Sequence, residues 1–133
     1  MFQLPNLIVD INQQDIHGVN SFWIAAYYNQ FRILRLLSEL GCERLAKNEI
    51  GSNALHIAVK RRNREVVEEL IAMDFPLDFQ RDNGVTALGI AVHTGDLSMI
   101  QLLVQARADV NYVSSKPNPG ISPLYLAVKH KNQ

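Results

Sequence analysis

The sequence predicts an all-α solenoid, built from a helix-turn-helix unit of 33 residues that recurs along the chain. Gly18, Gly51 and Gly84 are spaced 33 residues apart, and Gly120 follows 36 residues later. Two positions after each glycine the chain has Asn, Asn, Thr or Ser, and seven positions after each it has Ala. A period of this length is typical of repeat proteins, in which each unit buries its apolar face against the next.

The start of each unit predicts a tight turn followed by a first helix. Glycine allows a left-handed backbone angle at the turn. The Asn, Thr or Ser that follows can accept a hydrogen bond from an unpaired amide at the helix N-terminus. The large apolar residue four positions after the glycine and the alanine seven positions after it lie on one helical face, where a small side chain lets a neighbouring helix approach.

A second amphipathic helix is predicted in each complete unit from the spacing of its apolar residues. These segments are residues 33–37, 66–71 and 99–104. Polar breaks separate them from the first helices at residues 29–30, 62–63 and 94–96.

This pattern resembles the ankyrin repeat, most closely from Asp82-Asn83-Gly84 through Ala108-Asp109-Val110-Asn111. The resemblance covers about residues 10–133 and implies an ankyrin-repeat solenoid with β-turn fingers and about four repeats, the last incomplete. The expected divisions are a degenerate N-terminal cap at 1–14, repeats at 15–47, 48–80 and 81–113, and an extended finger with a partial fourth repeat at 114–133. Since a repeat without its second helix cannot bury its own apolar face, we expect a fragment of a longer protein.

Several positions depart from the family pattern. Glu69 stands where the family usually has an inward-facing leucine, so its carboxylate must reach solvent or find a partner. Asp74 and Arg107 replace the glycine that normally ends the second helix. In the cap, the apolar residues are expected to cover the exposed face of repeat 1; they are Phe2, Leu4, Leu7 and Ile8.

The sequence gives no indication of catalysis, a cofactor or a metal site. Phosphate-binding glycine loops, paired-cysteine metal motifs and nucleophile elbows are missing from it. His56 corresponds to a structural, hydrogen-bonding histidine of the family, and Cys42 fits a small buried thiol better than a nucleophile. We therefore expect the chain to be no enzyme and to have no small-molecule substrate.

Charge and composition indicate the setting of the protein. The 13 basic and 13 acidic residues give a net charge of zero, which argues against nucleic acid as the partner. A single cysteine excludes an intrachain disulfide, and neither a secretory signal nor a membrane-spanning segment is recognisable. We expect an intracellular protein of the cytoplasm, with the nucleus as the alternative, and no membrane insertion.

The resemblance implies that another protein binds at the turn tips and on the concave face formed by the first helices. Carried over residue by residue, the exposed side of the first helices corresponds to Tyr27, Tyr28, Lys60, Arg61, His93, Thr94, Lys129 and His130. The tip positions correspond to Ile16, His17, Glu49, Ile50, Asp82, Asn83, Asn118 and Pro119. The positions directly after the glycines are Val19, Ser52, Val85 and Ile121.

These residues suggest what kind of partner would fit. Lys60 and Arg61 are basic, whereas acids gather on the second helices, so the concave side is predicted to be positive and the back negative. We expect a partner with an acidic or phosphorylated segment and an apolar anchor near Tyr27 and Tyr28. Alternatively, the basic pair is only a solvated helix end, and the tyrosines pack against Trp23.

Other interpretations remain open at this point. The leading one is a protein-interaction module, and the second is a regulatory or targeting segment of a larger enzyme or channel whose activity lies beyond Gln133. The segment ending at Asn111 also resembles sites at which ankyrin proteins are hydroxylated on asparagine, and Asn12 has the same spacing. Both asparagines are more simply explained by the repeat consensus, in which this residue orders a turn.

Overall fold

The structure, a computed structural model, describes residues 10–110, which form six helices and no strand. The helices are α1 (Ser21–Tyr27), α2 (Phe31–Glu39), α3 (Ala54–Lys60), α4 (Arg64–Ala72), α5 (Ala87–Thr94) and α6 (Leu97–Gln105). They form three pairs at the places where the period predicts them, and this confirms the all-α repeat architecture. The predicted cap residues before position 10 and the predicted fourth repeat lie outside the described residues, and the exact repeat boundaries stay predictions.

The helices are arranged in two layers. The first helices α1, α3 and α5 pack side by side, while α2 packs against α4 and α6 packs against α5. Ala25, Ala58 and Ala91, the alanines seven positions after the glycines, are buried between these helices. Their small side chains allow the close approach that the sequence predicts, so one apolar core runs through the described repeats.

The first helices begin at side-chain caps, as predicted. Asn20 Oδ1 accepts a hydrogen bond from the Trp23 amide at 3.1 Å, and Asn53 Oδ1 accepts one from the His56 amide at 3.0 Å. Thr86 Oγ1 accepts the corresponding bond from the Gly89 amide at 3.2 Å. Each cap satisfies an amide that the helix itself leaves unpaired.

The fingers between repeats require glycine at their turns. Gly18, Gly51 and Gly84 have φ angles of 83°, 82° and 85°. At Gly51 a Cβ atom would also lie 2.8 Å from the backbone nitrogen of Asp82 in the next finger. Substitution there would therefore strain the backbone and push neighbouring fingers apart.

Non-glycine residues take the left-handed conformation at the ends of two second helices. Asp74 and Arg107 have φ angles of 59° and 74°, while Gly41 has 87° at the equivalent place in repeat 1. Asp74 and Arg107, which stand in the place of glycine, thus keep the left-handed backbone conformation. This conformation has a cost for them that glycine would not have.

The two residues with potential chemistry, His56 and Cys42, are buried in structural positions. His56 Nδ1 accepts from the Asn53 amide at 3.0 Å, so its Nε2–H donates to the Phe79 carbonyl at 2.8 Å. Burial lowers the pKa of His56 to about 4. Burial also raises the pKa of the Cys42 thiol, which disfavours the reactive thiolate.

Candidate partner-binding surface

Most of the predicted partner-binding residues that lie within residues 10–110 are exposed to solvent. The exposed residues are Ile16, His17, Tyr28, Glu49, Ile50, Lys60, Arg61, Asp82, Asn83 and His93, and the half-buried ones are Tyr27, Val85 and Thr94. Five further predicted residues and the candidate hydroxylation residue lie outside the described part: Asn118, Pro119, Ile121, Lys129, His130 and Asn111.

The predicted exposure of Val19 and Ser52 is wrong. Both side chains are buried, because the chain turns inward immediately after the finger glycine to enter the cap of the next helix. The Ser52 amide donates to Asn48 Oδ1 at 3.0 Å, and the Ser52 carbonyl accepts from the Trp23 indole. Ser52 thus lies beneath the predicted binding surface and supports it, and only 5% of Val19 is exposed at that surface.

A groove of about 470 Å³ lies where the first two fingers meet α1. It is lined by Asp15, His17, Val19, Trp23, Ile24, Tyr27, Tyr28, Asn48 and Glu49. Five of these are residues predicted to bind a partner, so the structure brings the predicted aromatic and fingertip positions of repeats 1 and 2 together. A concavity of this size can enclose a side chain or a short segment of a partner.

Three aromatic side chains in mutual contact form the wall of this groove. The Trp23 and Tyr27 rings lie 5.7 Å apart at an interplanar angle of 22°, and Tyr28 meets Tyr27 edge-on at 4.8 Å. The Trp23 indole N–H donates to the Ser52 carbonyl at 2.9 Å, which fixes the ring against repeat 2. Tyr27 therefore packs against Trp23, as one interpretation predicts, while Tyr28 is largely exposed.

The two basic residues at the end of α3, Lys60 and Arg61, have different surroundings. The Arg61 guanidinium lies 3.9 Å from the Tyr27 ring centroid, and its Nε–H donates to the Tyr27 carbonyl at 2.9 Å. Arg61 therefore braces the aromatic wall, although its side chain remains at the surface. Lys60 is an exposed residue in the last turn of α3.

The fingertips of repeats 1 and 2 are joined by a hydrogen bond at the edge of the groove. His17 Nδ1 lies 2.7 Å from Glu49 Oε2. This hydrogen bond raises the pKa of His17 and lowers the pKa of Glu49, since each group stabilises the charged form of the other. The pair holds two predicted fingertip residues at a fixed separation.

On the back of the molecule, charges are paired between helices. Arg35 donates two hydrogen bonds to the Glu69 carboxylate, at 2.8 and 2.6 Å, and this contact lowers the pKa of Glu69. Glu69 thus has the partner that its inward position requires. Within α4, Arg64 also pairs with Glu68 at 3.3 Å, so arginines on α2 and α4 offset part of the predicted negative back.

Four lining residues of the groove were not predicted: Asp15, Trp23, Ile24 and Asn48. Of these, Trp23 could have been recognised from the sequence, because the equivalent residues in repeats 2 and 3 are His56 and Gly89. A large aromatic side chain that departs from the repeat pattern marks repeat 1 as the special one.

The described residues contain no group of three or more His, Cys, Asp or Glu side chains that could hold a metal ion. Over the same residues, no helix combines the length and apolar character needed to cross a membrane.

Comparison with known proteins identifies the family. A sequence model described as "Ankyrin repeats (3 copies)" matches residues 3–75 and 63–133. The chain is 30% identical over 129 residues to the fowlpox virus ankyrin repeat protein FPV031, covering 93% of this chain and 38% of the relative. It is 34% identical over 104 residues to human B-cell lymphoma 3 protein, covering 75% of this chain and 22% of that protein.

A third relative is a plant channel. The chain is 28% identical over 106 residues to potassium channel AKT2/3 of Arabidopsis thaliana, covering 80% of this chain and 13% of the channel. The chain thus spans well under half the length of each of these relatives. The match of the family model over nearly all of its residues, together with the three observed helix pairs, shows that the chain belongs to the ankyrin-repeat family, whose repeats are protein-interaction modules.

Proposed function

We propose that this chain binds a partner protein through the groove of repeats 1 and 2 and the fingertips beside it. The observation that carries this proposal is the wall of Trp23, Tyr27 and Tyr28 along a concavity of about 470 Å³. Tyrosine and tryptophan dominate binding energy at protein interfaces, because they bury a large area while few rotatable bonds are frozen. The hydrogen bond from Trp23 to Ser52 preorganises this wall before a partner arrives.

We further propose that an acidic or phosphorylated segment of the partner lies along Lys60 and Arg61. Both residues are exposed, and Lys60 is in the last turn of its helix. The contact of Arg61 with Tyr27 orients its guanidinium and leaves it at the surface. An acidic segment there would gain electrostatic steering, so its association rate would fall with salt.

Partner capture with the full 133-residue chain tests this function. Proteins retained from a lysate would be identified, purified and titrated against the wild type and a Tyr27→Ala, Tyr28→Ala variant. Removal of two central aromatic side chains is expected to weaken a direct partner at least tenfold, since interface hot spots contribute roughly 2 kcal/mol or more each. Unchanged affinity of that variant for every purified partner would refute the proposed site.

Charge reversal at Lys60 tests the acidic segment separately, because it leaves the contact of Arg61 with Tyr27 intact. A Lys60→Glu variant should bind more slowly and show a weaker salt dependence of association. Arg32→Glu on α2 is the matched control, because it reverses an exposed positive charge away from the groove. If both reversals had equal effects, only the net charge of the chain would matter, and the proposed segment would be wrong.

We propose as a second candidate that the chain is a regulatory or targeting segment of a larger enzyme or channel, without catalytic activity of its own. Its similarity to a plant potassium channel, of which it covers 13%, favours this candidate. The complete coding sequence tests it directly, since a channel or catalytic domain after Gln133 is required. The buried free thiol of Cys42 fits a reducing compartment, and we place the protein in the cytoplasm or, alternatively, the nucleus.

A further inference from the structure

We propose that the groove of repeats 1 and 2 receives a basic side chain, lysine or arginine, from the partner protein. This inference rests on the proposed function and gives the anchor its chemistry: an aliphatic stem with a cationic head. Ion pairing and cation–π attraction within one cavity are the two properties that favour such a head over a purely apolar anchor.

The aromatic wall is suited to a cation. The π-faces of tryptophan and tyrosine attract ammonium and guanidinium groups, and the attraction grows as water is excluded. The Tyr27 ring already contacts a cation, because the Arg61 guanidinium lies 3.9 Å from its centre, and Trp23 stacks on the same ring, so an incoming cation would meet Trp23 and Tyr28. Trp23 and Tyr28 line the cavity beside that ring, whereas Arg61 is not a lining residue.

The charges that line the groove are complementary to a cation. Asp15 and Glu49 contribute carboxylates to the lining, and the lining contains no lysine or arginine. His17 also lines the groove and can be positive, but Glu49 opposes that charge at 2.7 Å. The lining residues therefore carry a net charge of −1 when His17 is protonated and −2 when it is neutral, since Asp15 and Glu49 are both acidic.

The carboxylate of Asp15 is held in place by its own finger. Asp15 Oδ1 accepts hydrogen bonds from the amides of His17 at 2.8 Å and Val19 at 3.2 Å. A group that is fixed before binding loses little conformational entropy when a ligand arrives. The stem of the incoming side chain would meet Ile24 and the edge of Val19, which supply apolar contact in the same cavity.

Short peptides that differ at one central residue test the proposal. Four acetylated and amidated Gly-Ser-X-Ser-Gly peptides, with X as Arg, Lys, Leu or Glu, would be titrated into the ¹⁵N-labelled full chain and followed by NMR. The Arg and Lys peptides should shift the amide signals around the groove, with dissociation constants on the order of millimolar for a single side chain. The Leu peptide should bind at least about threefold more weakly, and the Glu peptide should produce no groove shifts.

Removal of the groove charges provides the second arm. An Asp15→Asn, Glu49→Gln variant should weaken the Arg peptide by about threefold to tenfold, because two exposed charge contacts are lost. Asparagine at position 15 preserves the finger, since Asn48 makes the same two amide contacts in repeat 2. Asp82→Asn is the matched control: it removes an equivalent fingertip charge in repeat 3, which does not line the groove, and should leave the affinity unchanged.

Three results would overturn the proposal: no binding of the Arg and Lys peptides, equal or tighter binding of the Leu peptide, or no effect of the double variant. These results are distinct from failure of the proposed function. A purified partner that needs Tyr27 and Tyr28 but binds the Asp15→Asn, Glu49→Gln variant normally would keep the interface and reject the basic anchor.

Discussion

At the scale of single residues, His56 shows how a polar ring can occupy the core of a helical repeat. Its side chain is buried, and both ring nitrogens are satisfied by backbone groups, one from its own cap and one from Phe79. The neutral tautomer meets both needs, whereas a protonated ring would put a hydrogen against the Asn53 amide. The low pKa of about 4 follows from burial of the ring in this neutral state.

This residue makes stability depend on pH in a defined window. Because the folded pKa of about 4 lies below the ordinary value of 6.5, the unfolded chain takes up the proton first as pH falls. Stability is therefore complete above pH 6.5 and is lost progressively towards pH 4, by about 3 kcal/mol from this group. Urea unfolding of the wild type at a series of pH values measures the loss.

A His56→Gln variant is the control for this prediction. Its amide can still accept from Asn53 and donate to Phe79, but it cannot titrate. It should be somewhat less stable than the wild type at pH 7 and lose less free energy of unfolding between pH 6.5 and 4. Parallel pH curves for the two proteins would show that His56 does not cause the acid sensitivity.

At the scale of the elements, the three fingers differ at one corresponding position. Asp15 and Asn48 each accept two backbone amides of their own turn through Oδ1. Arg81 occupies this position in the third finger and has no acceptor to offer, and its buried Nε is without a hydrogen-bond partner. Burial also lowers the pKa of Arg81, so the third finger has the least suitable residue of the three.

Replacement of Arg81 by asparagine should therefore stabilise the chain. The new amide oxygen can accept from the Asn83 and Val85 amides, of which Val85 is already bonded to Asn83 Oδ1 at 3.1 Å. One additional hydrogen bond and removal of a partly buried charge predict a gain of about 1 kcal/mol, or a rise in Tm of roughly 3–5 °C for a chain of 133 residues. Thermal unfolding measures the gain, and Arg81→Ala, which supplies no acceptor, should gain less.

The local features of these elements could be predicted from sequence, whereas contacts between them could not. The caps at Asn20, Asn53 and Thr86 depend on residues within one turn, so the repeat pattern identifies them. The burial of Val19 and Ser52 depends on the direction in which the chain leaves each finger, and a periodic sequence does not encode that direction position by position.

The partner of Glu69 and the stacking of Arg61 illustrate the same limit. The sequence indicates that the Glu69 carboxylate needs a partner, but Arg35 is 34 residues away and becomes its neighbour only when α2 and α4 align. Likewise, Arg61 reaches Tyr27 across the α1–α3 contact. The lateral offset of adjacent repeats determines such pairs, so the groove's composition was only half predictable.

At the scale of the whole molecule, repeat 1 exposes positions that repeats 2 and 3 bury. Ile33 is 50% exposed, whereas its equivalents Val66 and Met99 are 0% and 2% exposed. Ile24 is 41% exposed, and its equivalents are again buried. In a stacked array, each repeat covers the equivalent positions of the repeat that follows it. The cover over Ile24 and Ile33 in repeat 1 therefore depends on the residues that come before this repeat.

Paired substitutions measure how far this face is covered. Met99→Ala should cost about 2–5 kcal/mol, as expected for truncation of a fully buried side chain. Ile33→Ala should cost less than about 1 kcal/mol, since half of its side chain already meets solvent. Urea unfolding of both variants gives the comparison. An equal loss would instead support the predicted N-terminal cap, in which Phe2, Leu4, Leu7 and Ile8 cover repeat 1.

The indole hydrogen bond between Trp23 and Ser52 gives the molecule a natural probe of its own assembly. Trp23 is the only tryptophan in the chain, and its ring spans the junction between repeats 1 and 2. Its fluorescence will therefore respond when that junction opens and will be insensitive to melting confined to repeat 3. Emission and far-UV circular dichroism that change at the same denaturant concentration would indicate cooperative unfolding of the array, whereas earlier loss of the fluorescence signal would indicate fraying from the first repeat.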